Sequence, residues 1–328
     1  MLSVAICGAG GLGTRHAENF RAIPETQVTL VYDAVEDAAA SLAEKVGARV
    51  ASEEGELFGD DVDILVITTP TPLHSYYTLK AAEAGKHVLC EKPMCRTLEQ
   101  GEEMLAAVLD SGITFMVGHV LRWFPQYERA NALITAGEIG QVGVARTSRI
   151  NTMPAGRGSW FQDYALSGGC TLDMTIHDFD WLLWTFGPAE RVYSVGTPQR
   201  MPLLDYALTT IRFESGAIAH AEGSWADTGD FRTSFDIAGS GGLLRHDSTQ
   251  MSTLTIQHRA GDEGQAPVQV PSSPAAKSPY MLEDEHFVQC VITGEEPAIT
   301  GDEALDAVEV ALAALQSNDA GGEVIDLS

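Results

Sequence analysis

Positive charge is the scarcest commodity in this sequence. Its 328 residues hold 20 Lys and Arg against 46 Asp and Glu, a formal net charge of −26. That balance argues against a nucleic-acid backbone or an anionic membrane surface as partner. It says little about substrate and reads as a solubility device or the mark of a salty habitat. Lysine is confined to Lys45, Lys80, Lys86, Lys92 and Lys277, so a lysine inside a motif carries weight. No apolar run is long enough to span a bilayer. The opening stretch is no signal peptide, because Leu2–Cys7 is short, lacks a basic flank and runs into glycines. The expectation is a cytoplasmic protein. Five cysteines, odd in number and irregular in spacing, do not make a disulfide framework. Cys90 and Cys95 flank Glu91-Lys92-Pro93-Met94, but no second Cys/His pair completes a metal site, and no metal is expected.

What remains is an ordinary globular composition, 45% apolar and 20% charged, and enough chain for two domains. Ser3–Cys7 suits a buried parallel strand and feeds Gly8-Ala9-Gly10-Gly11-Leu12-Gly13, after which a helix runs through His16, Ala17, Phe20 and Ile23. A second apolar run, Val28–Tyr32, ends at Asp33. Gly8 permits the tight turn, Gly10 lets a pyrophosphate approach the backbone, and Gly13 lets the helix pack on the strand. The helix N-terminus offers free N–H groups and the positive dipole end, and Asp33 is placed to bind the adenosine ribose hydroxyls. A carboxylate there repels a 2′-phosphate, and Ala34-Val35 offers nothing to receive one. NAD is therefore favoured over NADP.

The βαβ rhythm continues with a helix over 36–46, a strand over 62–68, a helix over 73–84, a strand over 86–90, a helix over 98–109 and a strand over 114–117. It implies a doubly wound parallel sheet. Thr69 and Pro70 lie in the loop at one strand's carboxyl end, where such sheets bind ligands. Glu91-Lys92-Pro93 lies at the next, where Lys92 can bring an ammonium beside the nicotinamide.

Gly168–Phe186 reads as one amphipathic helix, with Gly168 and Gly169 in a loop and Thr171 as N-cap. Leu172, Ile176, Phe179 and Leu183 form an apolar stripe, and Asp173, His177 and Asp180 form a second, polar one. Beyond it, strands over 192–196, 207–214, 217–225, 233–238, 243–246 and 254–258 follow one another through short turns. They imply a mostly antiparallel sheet with helices on one face. Residues 122–134 read as a helix, 261–278 as a long surface loop, and 279–292 and 302–315 as final helices. The domains are drawn as 1–120 for the dinucleotide and 121–328 for substrate and oligomerisation, the last helix free to pack back on the first domain.

Several blocks together resemble the Gfo/Idh/MocA family of glucose–fructose oxidoreductase and inositol dehydrogenase-like enzymes. They are Gly8-x-Gly10-x-x-Gly13 with His16, Thr69-Pro70-x-x-x-His74, Ala84-Gly85-Lys86-His87-Val88-Leu89-Cys90-Glu91-Lys92-Pro93, Arg122-Trp123-x-Pro125, Gly137-Glu138-Ile139-Gly140, Gly168-Gly169-x-x-x-Asp173-x-x-x-His177-x-x-Asp180 and Ser278-Pro279-Tyr280. The resemblance implies a Rossmann domain, an α+β domain whose sheet forms a homodimer or homotetramer, and convergence of Lys92 with Asp173 and His177 near the nicotinamide. Gly8, Gly10, Gly11, Leu12, Gly13, Asp33, Thr69, Pro70, His74, Glu91 and Lys92 are then expected around the cofactor, His74 with a structural bond at its helix start. Lys92, Arg122, Trp160, Asp173, His177, Asp180 and Tyr280 are expected around the substrate.

Oxidising a secondary alcohol requires removal of the hydroxyl proton as hydride leaves the same carbon. Histidine, with an ordinary pKa of about 6.5, suits the proton, which gives His177 that role. Lys92 would stabilise alkoxide charge. Asp173 would either bind substrate or orient the imidazole, and Asp180 would bind further hydroxyls of a sugar or polyol. Two alternatives stay open. One is a tightly held NAD cycling within a single turnover, as in epimerisation, elimination or sugar-to-sugar hydride transfer; the other is a non-catalytic dinucleotide sensor.

Overall fold

The computed structural model describes residues 1–154, 157–197, 204–250, 254–258, 268–270 and 277–327. Its first elements in chain order are β1 (Leu2–Cys7), α1 (Gly11–Ala22), β2 (Thr26–Tyr32), α2 (Glu36–Val46), β3 (Arg49–Val50), β4 (Ile64–Ile67), α3 (His74–Glu83), β5 (His87–Glu91), α4 (Leu98–Ser111) and β6 (Phe115–Gly118). The strands pair in parallel in the order β3-β2-β1-β4-β5-β6. This is the doubly wound Rossmann arrangement, and it places the strands' carboxyl ends along one edge of the sheet. Val4–Cys7, Ile64–Ile67 and Val88–Cys90 are 0–1% exposed, the continuous apolar reading expected of strands covered on both faces.

Next come α5 (Pro125–Thr135), β7 (Val142–Ile150), α6 (Tyr164–Ser167), α7 (Ile176–Phe186), β8 (Ala189–Gly196), β9 (Tyr206–Phe213), β10 (Ile218–Ser224), β11 (Arg232–Gly239), β12 (Gly242–Asp247), β13 (Leu254–His258) and β14 (Val268–Val270). The chain closes with α8 (Pro279–Thr293), α9 (Gly301–Asp319) and β15 (Ile325–Asp326). The second sheet has nine strands in the order β14-β13-β12-β11-β7-β10-β9-β8-β15. Every pairing is antiparallel except β7 with β10. Period-two burial gives it one inner face, where Phe235 packs against Tyr127 of α5 at 5.2 Å and stacks on Trp181 of α7 at 5.0 Å.

The chain divides into two compact units, 1–120 with 277–305 and 121–276 with 306–328. Helix α8 therefore joins the first unit rather than the second, and the division crosses α9. Two further readings change. The helix expected over 122–134 is a 3-10 turn (Val120–Trp123) followed by α5, with Pro125 at its first position, where the missing N–H costs nothing. Much of the loop expected over 261–278 lies outside the described residues, but Val268–Val270 within it is a strand paired with β13. No helix among the described residues is long and apolar enough to cross a membrane, and all five cysteines are buried free thiols.

Because Phe235 is 1% exposed between two aromatic helical side chains, Phe235→Ala should lower unfolding free energy by about 3–5 kcal/mol. Urea titration followed by circular dichroism measures this.

Candidate active site

In the first unit the glycine loop has the contours of a dinucleotide cradle. Gly8 has φ +104, and a side chain there would strike the Thr68 carbonyl at 2.7 Å. A Cβ on Gly13 would run into the Gly8 carbonyl oxygen, whereas one on Gly10 or Gly11 would meet nothing within 4 Å. The first two glycines of the motif thus close the strand–helix junction at Gly8 and leave an open approach at Gly10. Gly10 also precedes the first turn of α1, which carries no acidic side chain to compete for its N–H groups. Asp33, at the end of β2, accepts the Ala9 N–H at 2.7 Å and the Val35 N–H at 2.8 Å. Its carboxylate is thereby fixed beside the loop. The Thr69 hydroxyl oxygen is buried and makes no hydrogen bond among the described residues, which leaves it for a bound group at the carboxyl end of β4. These residues fit a dinucleotide.

Lys92 follows β5 directly, and its backbone is held from both sides. Its own N–H donates to Glu91 Oε2 at 3.0 Å. On the other side the Pro93 carbonyl lies 2.8 Å from His74 Nδ1, while His74 Nε2 lies 2.8 Å from the Thr69 carbonyl. His74 is 1% exposed, and burial lowers its pKa. It therefore ties the Thr69–Pro70 loop to the Lys92–Pro93 turn.

Glu91 does not face the cofactor cradle with its carboxylate, as expected, but turns it inward. Oε1 lies 3.1 Å from His16 Nε2, and the other ring nitrogen, Nδ1, lies 2.7 Å from Asp284 Oδ1. Asn19 donates to Asp284 Oδ2 at 2.8 Å. His16 and Asp284 are fully buried and Glu91 is 4% exposed. Burial favours the neutral ring, but the Asp284 and Glu91 carboxylates override it and raise the His16 pKa well above the ordinary value. Burial also pushes Glu91 up, and the imidazolium outweighs it, holding Glu91 below the usual carboxylate range. Glu283 completes a grouping with metal-ligand spacing beside His16 and Asp284, in which both ring nitrogens of His16 are already engaged by the Asp284 and Glu91 carboxylates. Tyr280, expected at the substrate, lies at the start of α8 with its ring 6.0 Å from that of His16 and under the Arg15 guanidinium at 4.4 Å.

The second unit carries Asp173 and His177, but not on one continuous helix. Gly168 ends α6 with φ 71, and Gly169, with φ 65, precedes a π-helical turn over Cys170–Met174; α7 begins only at Ile176. Thr171 is not the cap. The Cys170 N–H is instead accepted by Asp205 at 2.6 Å, and the Thr175 N–H closes the wide turn on the Cys170 carbonyl at 2.8 Å. Gly223 of β10 makes room for this turn, since any Cβ there would collide with the Thr175 side chain. Such turns concentrate at functional sites. Four residues make about one turn in α or π geometry, so Asp173 and the half-buried His177 stay on one side. Seven residues accumulate the offset, and Asp180 turns inward.

Asp180 is fully buried and accepts from Arg122 Nε at 3.0 Å and Nη2 at 2.6 Å. Arg122 and Asp180, both expected at the substrate, thus hold each other and fix α7. Arg149 of β7 does the same on the next residue but one, donating to Asp178 at 2.5 Å. Trp160 packs on Phe161 at 4.1 Å, and Phe161 meets Trp225 beside the π turn. Neither His16–Glu91–Asp284 nor Arg149–Asp178 is legible from residue spacing, although a histidine among the inward positions Ala17 and Phe20 is itself a signal of buried pairing.

Residues 2–119 match the oxidoreductase family with an NAD-binding Rossmann fold, and residues 127–245 match the GFO/IDH/MocA C-terminal domain. The chain belongs to the Gfo/Idh/MocA family. It is 32% identical to 1,5-anhydro-D-fructose reductase of Ensifer adhaerens, covering 88% of each chain, and 30% identical to inositol 2-dehydrogenase of Rhizobium meliloti, covering 95% of each. Among solved structures, GenD2 from gentamicin A biosynthesis in complex with NAD superposes with TM-score 0.88 at 26% identity, over 100% of this chain and 96% of that one. Levoglucosan dehydrogenase with NADH and levoglucosan shares the fold, with TM-score 0.89 at 23% identity over 99% of both chains. This member of the family is an oxidoreductase, and the cradle of its first unit is an NAD site.

The His16 charge has a pH signature. Its folded pKa lies above the unfolded value of about 6.5, so its contribution is full below that value and is lost as pH rises through the folded pKa. Denaturant unfolding should find His16→Asn well below the native chain in stability near neutral pH, the gap narrowing as the buffer becomes alkaline.

Proposed function

We propose that this chain oxidises a secondary hydroxyl of a sugar or polyol, inositol- or aldose-like, with NAD as hydride acceptor and in a reversible reaction. The observation that carries the reading is Lys92, clamped at the carboxyl end of β5 in a unit that binds NAD. The half-buried His177 on the first turn of α7 supplies the second half of the chemistry. Relatives named for inositols and an anhydro sugar support the substrate class.

In this reading NAD supplies the acceptor at its nicotinamide C4. His177 takes the hydroxyl proton and returns it in the reverse direction. Lys92 stabilises the oxygen as negative charge develops on it. Asp173, 9% exposed on the π turn, either orients His177 or accepts a substrate hydroxyl. Arg122 and Asp180 act by holding α7, and Trp160 and Tyr280 contribute shape around the two units' respective loops.

NADH formation across inositols, aldoses and sugar alcohols tests this. Turnover should appear with NAD in preference to NADP, and Lys92→Ala and His177→Ala should each lower kcat on the order of 100-fold or more. Turnover indifferent to both substitutions removes those residues from the chemistry. Coenzyme that stays bound through purification and is not exchanged during turnover would move the reading to an internal redox cycle.

We also propose a cytoplasmic homo-oligomer. Five free thiols suit a reducing compartment. On the outer face of the second sheet Tyr193, Val195 and Leu208 remain 37–39% exposed, an apolar patch for a second copy. Light scattering should give two or four times 35.1 kDa, and Leu208→Glu should shift the mass toward one.

A further inference from the structure

Lys92 can act on a substrate oxygen only if its backbone is held, and the structure holds it through a side chain in another element. Glu91 stands between. One of its oxygens accepts the Lys92 N–H at 3.0 Å and the other lies 3.1 Å from His16 Nε2. Gly118, paired with Glu91 across β5 and β6, leaves the space this carboxylate occupies, since a Cβ there would lie 3.3 Å from Glu91 Cδ. His16 belongs to α1, the helix that opens directly from the glycine loop of the NAD site, with no acidic side chain in its first turn. Its opposite nitrogen is fastened to Asp284 at 2.7 Å, and Asn19 fixes the second oxygen of Asp284 at 2.8 Å.

We propose that His16 is a positioning residue for Lys92: by gripping Glu91 while Asp284 grips it, His16 locks the lysine's backbone to the helix that binds the coenzyme phosphates. This deepens the functional reading above and rests on it. A glutamate side chain has three rotatable bonds, and burial alone does not choose among its rotamers. The imidazolium does, because leaving a buried carboxylate without its donor costs more than any rotamer preference. With the bridge intact, coenzyme seated on α1 and the ammonium that follows β5 share one rigid frame. With it broken, the lysine keeps its charge and loses its aim, and displacements of about 1 Å cost on the order of 100-fold in rate.

The test is a cycle on Lys92. His16→Asn, and Glu91→Gln as the milder variant should His16→Asn fail to fold, are made in the native and the Lys92→Ala backgrounds. In the native background kcat should fall on the order of 10-fold to 100-fold while the KM for NAD moves by about twofold at most. In the Lys92→Ala background the same substitution should cost little more, because there is no ammonium left to aim. Hydrogen–deuterium exchange provides a readout free of turnover: the peptide spanning 87–95 should lose protection in the variants while α2 and α4 keep theirs. Equal losses of kcat in both backgrounds would mark His16 as merely structural and overturn the proposal. Unchanged exchange at 87–95 would overturn it as well. If Lys92→Ala itself leaves kcat intact, the catalytic reading of Lys92 fails first, a pattern distinct from additivity.

Discussion

A fully buried imidazole held between two carboxylates determines how the first unit is put together. An unpaired buried cation costs several kcal/mol, and pairing it with one carboxylate in poor geometry repays little. Here the ring meets one carboxylate on each side, with Asn19 satisfying a further oxygen. Those partners come from β5 and α8, so the charge is tolerable only when α1, β5 and α8 are all in place. Apolar packing would hold three such elements in any of several registers. A buried ion with two directional partners permits one.

The second unit uses the same device twice at α7. Asp178 and Asp180 both point into the interior and each meets an arginine, Arg149 from β7 and Arg122 from the turn before α5. His177, directly before Asp178 on the chain, stays half-buried at the boundary with solvent. Two buried ion pairs on α7 and a π turn ahead of it fix the rotation of the helix about its axis, which apolar contacts such as Phe179 and Leu182 alone would leave loose.

Much of this was legible from the residues. The glycine loop, the alternation of apolar runs with helical periods and the terminal Asp33 are local patterns, and local patterns survive into the fold. The readings that changed depended on contacts between distant residues. The strand β7 is not legible in the sequence because its inward positions are Ala145, Thr147 and Arg149, small or polar side chains that leave no apolar alternation. Asp180 looked like a ligand because a carboxylate at helical spacing from Asp173 invites that reading; only the tertiary structure supplies the arginine that claims it. The extra residue in the π turn is invisible to an analysis that assumes 3.6 residues per turn throughout. Helix α8 reads as part of the chain around it, and nothing within its own sequence announces that Asp284 answers to His16, which lies 268 residues away.

That separation has a consequence for how the protein is made. By the time the ribosome has delivered β6, all six strands of the nucleotide-binding sheet exist and could pair. At that moment Glu91 can already engage one nitrogen of His16, but the other nitrogen and Asn19 face a place where nothing yet stands. The whole second sheet except β15 must be synthesised before α8 emerges to cover them. The nascent domain is therefore a frame with an open seam for most of its translation, and a gene truncated after β6 would encode that intermediate rather than a separable coenzyme-binding module.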